Sequence, residues 1–284
     1  MERSSVVGVV GAGTMGNGIA QAFAGAGYRV LMYDISEAAL ARGRAAIENS
    51  LGKLVHKEKI KPDERDAILR RVEPVTTLSA FKDCRVVIEA ATENASVKAD
   101  LFRKLDEVCA TEAILATNTS SISITKVASI TKRPQRVIGM HFFNPVPVMK
   151  LVEVIRARQT ADEVHAEILA LCRELGKTPV EVRNSPGFVA NRIVLPMINE
   201  AIYTYSEGLA SAEDIDTTLK LGMGHPMGPL ALADLIGLDT CLSIMEVLAD
   251  GFRDSKYRPC PLLKEMVEAG DLGRKTGKGF YTYV

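Results

Sequence analysis

Along the first half of the chain, short Val- and Ile-rich runs alternate with amphipathic stretches, the pattern of parallel strands joined by crossover helices. Val6 to Val10, Arg29 to Tyr33, Val86 to Ala90, Ile114 to Ala116, Val137 to Met140, Leu151 to Ile155 and Val180 to Val182 are read as strands. They predict an α/β fold with a doubly wound sheet. Between the second and third runs, residues 36–71 hold two charged helical segments split by Lys61-Pro62-Asp63, which predicts an inserted helical hairpin. From Pro186 onward, helical periods cover Val189 to Glu207, Ala212 to Leu219, Leu230 to Ala249 and Leu262 to Glu268, with no strand expected before the last few residues. Turn residues at Asn184-Ser185-Pro186-Gly187 interrupt both periods. The reading is therefore a sheet domain over 1–184 and an all-α domain over 185–284.

Composition narrows the class of partner. An apolar fraction of 47% can supply a core, and no run approaches the roughly 20 apolar residues of a membrane span. Thirty-five Lys and Arg balance 35 Asp and Glu, so no global field favours nucleic acid or an anionic membrane. Cys84, Cys109, Cys172, Cys241 and Cys260 form no CxxC pair and no zinc-ligand spacing. Reduced thiols, no metal and a soluble cytoplasmic protein are the expectations. The chain runs from a few polar residues straight into Val6 to Val10, so no leader is expected.

Gly11-Ala12-Gly13-Thr14-Met15-Gly16 follows the first strand and opens the helical pattern Ile19 to Ala26. In that setting Gly11 permits a tight turn, Gly13 lets the backbone approach a pyrophosphate, and Gly16 lets helix and strand pack closely. The second strand ends at Asp34, where a carboxylate accepts ribose hydroxyls and repels a 2′-phosphate. A Rossmann-type site for NAD rather than NADP is predicted.

Two segments bear candidate chemistry. Asn118-Thr119-Ser120-Ser121 lies just past one strand and His141-Phe142-Phe143-Asn144-Pro145 just past the next. If those strands are neighbours, both segments border the crevice at the carboxyl end of the sheet. Glu153 interrupts the apolar strand Leu151 to Ile155, and an acid on a buried face needs a partner. Paired with His141, it would fix the imidazole tautomer for removal of an alcohol proton. A packed loop histidine and a solvated edge-strand glutamate stay open as alternatives. His225, in the Gly222 to Pro226 loop, is the rival base.

At His141 to Glu153 the sequence resembles the 3-hydroxyacyl-CoA dehydrogenase family, particularly its bacterial 3-hydroxybutyryl-CoA branch. The likeness extends to Gly11 to Gly16, Ile88-Glu89-Ala90 with Glu93 and Lys98, Asn118 to Ser121, Ser185 to Phe188 with Asn191-Arg192, His225 to Pro229, Gly237 to Thr240 and Gly273 to Tyr281. It implies NAD-dependent oxidation of a short-chain (S)-3-hydroxyacyl-CoA, with His141 as general base, Glu153 orienting it, and Ser120 and Asn191 bonding the reacting oxygen and nearby substrate atoms. It also implies cofactor contacts at Asp34, Glu93, Lys98, Ser120, Asn144 and Lys275, joined by Ala90 and by the loop residues Gly11, Gly13, Thr14, Met15 and Gly16. Lys98 and Lys275, read from their surroundings alone, are exposed lysines.

Ser50 and Lys57 match coenzyme A contacts, on a hairpin that also carries Lys53, Lys59 and Lys61. A basic cluster suits a phosphate-bearing carrier. A homodimer through the helical domain and a single dehydrogenase activity are further expectations. The rival readings are a dehydrogenase of free hydroxy or sugar acids, like the gulonate-oxidising lens-crystallin relatives, which needs no basic hairpin, and a non-catalytic dinucleotide-binding structural protein, which has no use for the His141 and Glu153 pair.

Overall fold

The computed structural model describes residues 4–283; residues 1–3 and 284, the outer ends of the two expected domains, lie outside the described residues. The chain divides into two compact units, Met1–Ser185 and Pro186–Val284.

In the first unit the elements run β1 (Val6–Val10), α1 (Thr14–Gly25), β2 (Arg29–Tyr33), α2 (Glu37–His56), α3 (Pro62–Arg70), β3 (Val72–Val75), β4 (Cys84–Glu89), α4 (Ala95–Val108) and β5 (Ile114–Thr117). They continue with α5 (Ile124–Ser129), β6 (Val137–Phe142), β7 (Leu151–Arg156), α6 (Asp162–Glu174) and β8 (Thr178–Arg183). The strands form one sheet in the order β3-β2-β1-β4-β5-β6-β7-β8. β1, β4, β5 and β6 are buried almost throughout, as their unbroken apolar runs demand. Each fully buried Val or Ile contributes about 1.5–3 kcal/mol, and helix residues such as Phe23, Ile47 and Ile168 are buried in the same core.

Three expectations need correction. β3 was not read as a strand, because Pro74 removes an amide donor; it is tolerated because β3 lies at the sheet edge. The sheet is not wholly parallel, since β6 and β7 are antiparallel. Only residues 143–150 join them, too short a span for a crossover back to parallel. His141 lies inside β6 rather than beyond it.

The hairpin forms as two helices. Ser36 caps α2 by accepting the Ala39 amide, and Pro62 opens α3 where its missing amide costs nothing. Leu40, Gly43, Ile47 and Leu51 bury one face of α2. Lys177 precedes β8 with its side chain buried, in a pocket it shares with Leu51 and Ile68 of the hairpin. It donates to the Val146 and Met149 carbonyl oxygens and so pins the loop between β6 and β7.

The second unit contains α7 (Ala190–Ser206), α8 (Ala212–Thr217), α9 (Pro229–Ile236), α10 (Leu238–Phe252) and α11 (Pro261–Glu268). The single helix expected from Leu230 to Ala249 breaks at Gly237, whose φ of 100° is open only to glycine at low cost. Its core gathers Leu195, Ile202, Leu230, Leu238, Met245 and Leu263. Asp234 fastens the C-terminal tail by accepting the Phe280 and Tyr281 amides and the Tyr283 hydroxyl. No described helix is long and apolar enough to cross a membrane.

Candidate active site

After β1 the chain turns through Gly11 at φ 101°. A Cβ on Gly16 would fall 1.8 Å from the Gly11 carbonyl oxygen, so turn and helix meet backbone to backbone. Gly13 is different, because a Cβ there would meet nothing within 4 Å. It faces open space at the start of α1, where no side chain caps the first amides and the first turn, with Thr14 and Met15, carries no acid. Uncapped amides at a positive helix end suit an anion.

Asp34 stands at the end of β2, its Oδ2 accepting the Ala12 amide at 3.0 Å and its Oδ1 the Ser36 amide at 3.1 Å. A carboxylate has about four lone-pair sites, which leaves capacity for ribose hydroxyls. A cleft of about 400 Å³ extends from Gly11 and Asp34 past Ile35 and Val97 to Ala91 and Thr92. Gly43 of α2 supports the loop from behind, since a Cβ there would lie 2.6 Å from the Ala12 carbonyl oxygen. Sequence reading gave Gly43 no role, as a glycine inside a helix looks merely tolerated. Cradle, helix terminus and acid together fit a dinucleotide without a 2′-phosphate.

The cleft continues into a second pocket lined by Met15, Ala90, Glu93, Lys98, Asn118 and Thr119. Glu93 ties it together: it accepts the Ser120 amide at 2.8 Å, the Ser120 hydroxyl at 3.3 Å and the Thr119 hydroxyl at 2.6 Å. Lys98 is not the exposed helix lysine its neighbours suggest. It is buried against Glu89 and Thr117. Asn118 links the ends of β5 and β6 by accepting the Phe142 amide at 2.9 Å, beside His141.

His141 and Glu153 oppose each other across the β6/β7 pairing, with Nδ1 2.8 Å from Oε2. Both are buried, and Phe143 packs on the imidazole with ring centroids 4.6 Å apart. β7 is an interior strand, with β8 outside it, so the solvated edge glutamate is ruled out. Because a carboxylate only accepts, Nδ1 carries the proton and Nε2 is the basic nitrogen. The arrangement can take a proton from an alcohol and hold the resulting imidazolium.

Other predicted residues are more scattered. Asn144 is exposed in the loop between β6 and β7. On the hairpin, Lys53, His56, Lys57 and Arg65 line one open depression together with Glu48, Arg65 being paired with Asp66, whereas Ser50 is half-buried on α2 and is not part of that lining. Asn191, on α7, and Lys275 belong to the second unit. Lys275 is paired there with Asp239 at 2.5 Å. Burial works against the Asp239 charge, but Lys275 and the Thr240 amide outweigh it and hold the carboxyl below its usual range. His225 also lies in the second unit, in the loop before α9.

All five cysteines are buried and unpaired in disulfides, and the described residues hold no cluster able to bind a metal.

Residues 6–185 match the NAD binding domain of 3-hydroxyacyl-CoA dehydrogenase, and residues 187–283 match that enzyme's C-terminal domain. The chain belongs to the 3-hydroxyacyl-CoA dehydrogenase family. It is 55% identical over 275 residues to a probable 3-hydroxybutyryl-CoA dehydrogenase of Bacillus subtilis, covering 97% of this chain and 96% of that one. It is 51% identical over 275 residues to the 3-hydroxybutyryl-CoA dehydrogenase of Clostridioides difficile, covering 97% and 98%. The crystal structure of the (S)-3-hydroxybutyryl-CoA dehydrogenase PaaH1 from Ralstonia eutropha shares 56% identity and a TM-score of 0.96 over 99% of both chains. The dinucleotide cradle is therefore that of an NAD-dependent oxidoreductase of this family.

Proposed function

We propose that this family member catalyses the reversible NAD-dependent oxidation of a short-chain (S)-3-hydroxyacyl-CoA, with 3-hydroxybutyryl-CoA and acetoacetyl-CoA as the substrate pair. The observation that carries the reading is the buried His141–Glu153 pair at the carboxyl end of β6, on the strand next to those that frame the dinucleotide pocket. A non-catalytic dinucleotide-binding protein has no use for an acid buried behind an imidazole. NAD held by the cradle residues would supply the hydride acceptor for C3 of the acyl chain. His141 takes the hydroxyl proton through Nε2, and in reduction the imidazolium returns it. Glu153 keeps Nδ1 protonated and stabilises the ring's positive charge. Ser120, whose amide and hydroxyl are held by Glu93, is assigned to the reacting oxygen by family resemblance.

Gly11, Gly13, Thr14, Met15, Gly16, Asp34, Ala90, Glu93, Lys98, Ser120 and Asn144 are assigned to the cofactor side. Asn191 and Lys275 are assigned to substrate and cofactor by family resemblance alone. For the carrier, Lys57 is favoured by its basic neighbours Lys53, His56 and Arg65, and Ser50 by resemblance only.

A homodimer through the helical unit is part of this reading. Ile193, Leu209, Leu221 and Met223 of that unit are all more than half exposed, an apolar display that fits a subunit contact. A monomeric mass in light scattering at micromolar concentration would overturn it. Buried reduced thiols suit a cytoplasmic setting.

The test of substrate class is turnover of acetoacetyl-CoA against free acetoacetate, with NADH and NADPH in parallel. The thioester with NADH is expected to be strongly preferred. Equal rates with the free acid would turn the reading toward a hydroxy-acid dehydrogenase.

A further inference from the structure

β4 ends on a carboxylate that solvent does not reach. Glu89 is 0% exposed and both of its oxygens are committed. Oε2 accepts from the Lys98 ammonium and, at 2.8 Å, from the Thr117 hydroxyl. Oε1 accepts the Ala91 amide at 2.9 Å and the Thr92 amide at 3.4 Å. Lys98 is itself 1% exposed and also donates to Thr117 at 3.2 Å. An ammonium has three N–H donors, so these two contacts leave one. Lys98 nonetheless lines the pocket shared by Met15, Ala90, Glu93 and Asn118.

A buried ammonium is costly without an opposite charge beside it. Glu89 supplies that charge, and through Thr117 and the Ala91–Thr92 turn it also fixes where the ammonium sits. We propose that Glu89 is a positioning residue for the dinucleotide: it holds the Lys98 side chain oriented so that the remaining N–H faces the pocket at the carboxyl ends of β1, β4 and β5. This rests on the NAD reading above and goes beyond it, giving a role to a group that never touches the cofactor.

A double-mutant cycle separates this role from that of a structural brace. The dissociation constant of NADH is measured by fluorescence titration, and Tm by calorimetry, for the unmodified protein, Glu89→Gln, Lys98→Met and the double variant. Glu89→Gln and Lys98→Met are each expected to weaken NADH binding about tenfold, and the double variant no more than Lys98→Met alone, because the carboxylate acts through the ammonium. Tm is expected to be lowest for Glu89→Gln and to recover partly in the double variant, where no buried charge lacks a partner. Unchanged NADH affinity in Glu89→Gln, or losses that simply add, would overturn the proposal. If Glu89→Gln does not fold, the double variant against Lys98→Met decides: equal affinity supports positioning, and a further loss of about tenfold contradicts it. An unmodified protein with no saturable NADH binding would sink the NAD reading itself, an outcome distinct from failure of the cycle.

Discussion

His141 and Glu153 are register partners on adjacent antiparallel strands, their side chains joined by a 2.8 Å contact between Nδ1 and Oε2. The return of β7 alongside β6 is what places an acid directly behind the base. The expected consequence is that Glu153→Gln, which keeps an acceptor oxygen but loses the charge, lowers kcat by about 10²-fold or more, on the scale of general acid–base catalysis. NADH affinity is expected to hold, because Glu153 does not line the dinucleotide cleft. Steady-state kinetics with a parallel NADH titration check both; a normal kcat would remove Glu153 from the mechanism.

Asp34 has two tasks, holding the glycine loop through the Ala12 amide and facing the ribose side of the cleft. Asp34→Asn is expected to weaken NADH binding about tenfold, equivalent to about 1.4 kcal/mol, while narrowing the gap to NADPH because the repelling charge is gone. Titrations with both dinucleotides measure this. An unaltered NADH-to-NADPH ratio counts against Asp34 as the discriminating residue.

The glycine loop, Asp34, Ser120, His141 and Glu153 were legible in the sequence because each combines a residue type with a place in a strand-to-helix pattern that physics restricts. Lys98 was not, because a lysine in an amphipathic helix looks solvated. Its signal lay in Glu89, an acid ending the apolar run Val86-Val87-Ile88. A buried acid needs a partner, which marks Glu153 and applies equally to Glu89. β3 was hidden by Pro74 and by its edge position, and the break at Gly237 by apolar periodicity that continues on both sides of it. The antiparallel turn of β6 into β7 was missed, although the short 143–150 connection carried its signal.

His165, on α6, is buried beside Glu181, and burial lowers its pKa from 6.5, with Glu181 opposing only in part. As pH falls through that value, the unfolded chain binds a proton before the native protein does. Stability is therefore expected to drop as pH falls from 6.5 toward the depressed native value. His165→Gln should flatten the difference in urea midpoint between about pH 7.5 and about pH 5.5. An identical difference in both proteins would assign the acid sensitivity elsewhere.

Burial pushes the thiols of Cys84, Cys172 and Cys241 up to about 12 and that of Cys109 up to about 11. Since the thiolate is the reactive form, native protein should resist a disulfide-exchange reagent near about pH 8 and react fully only after denaturation. Rapid labelling of the native protein at any of these four positions would contradict their placement.

The proposed chemistry depends most on a base at His141. Acetoacetyl-CoA reduction by His141→Gln, at saturating NADH and with NADH affinity verified, is expected to run at least about 10²-fold slower than in the unmodified protein. A rate equal to that of the unmodified protein would mean that the proton comes from another group.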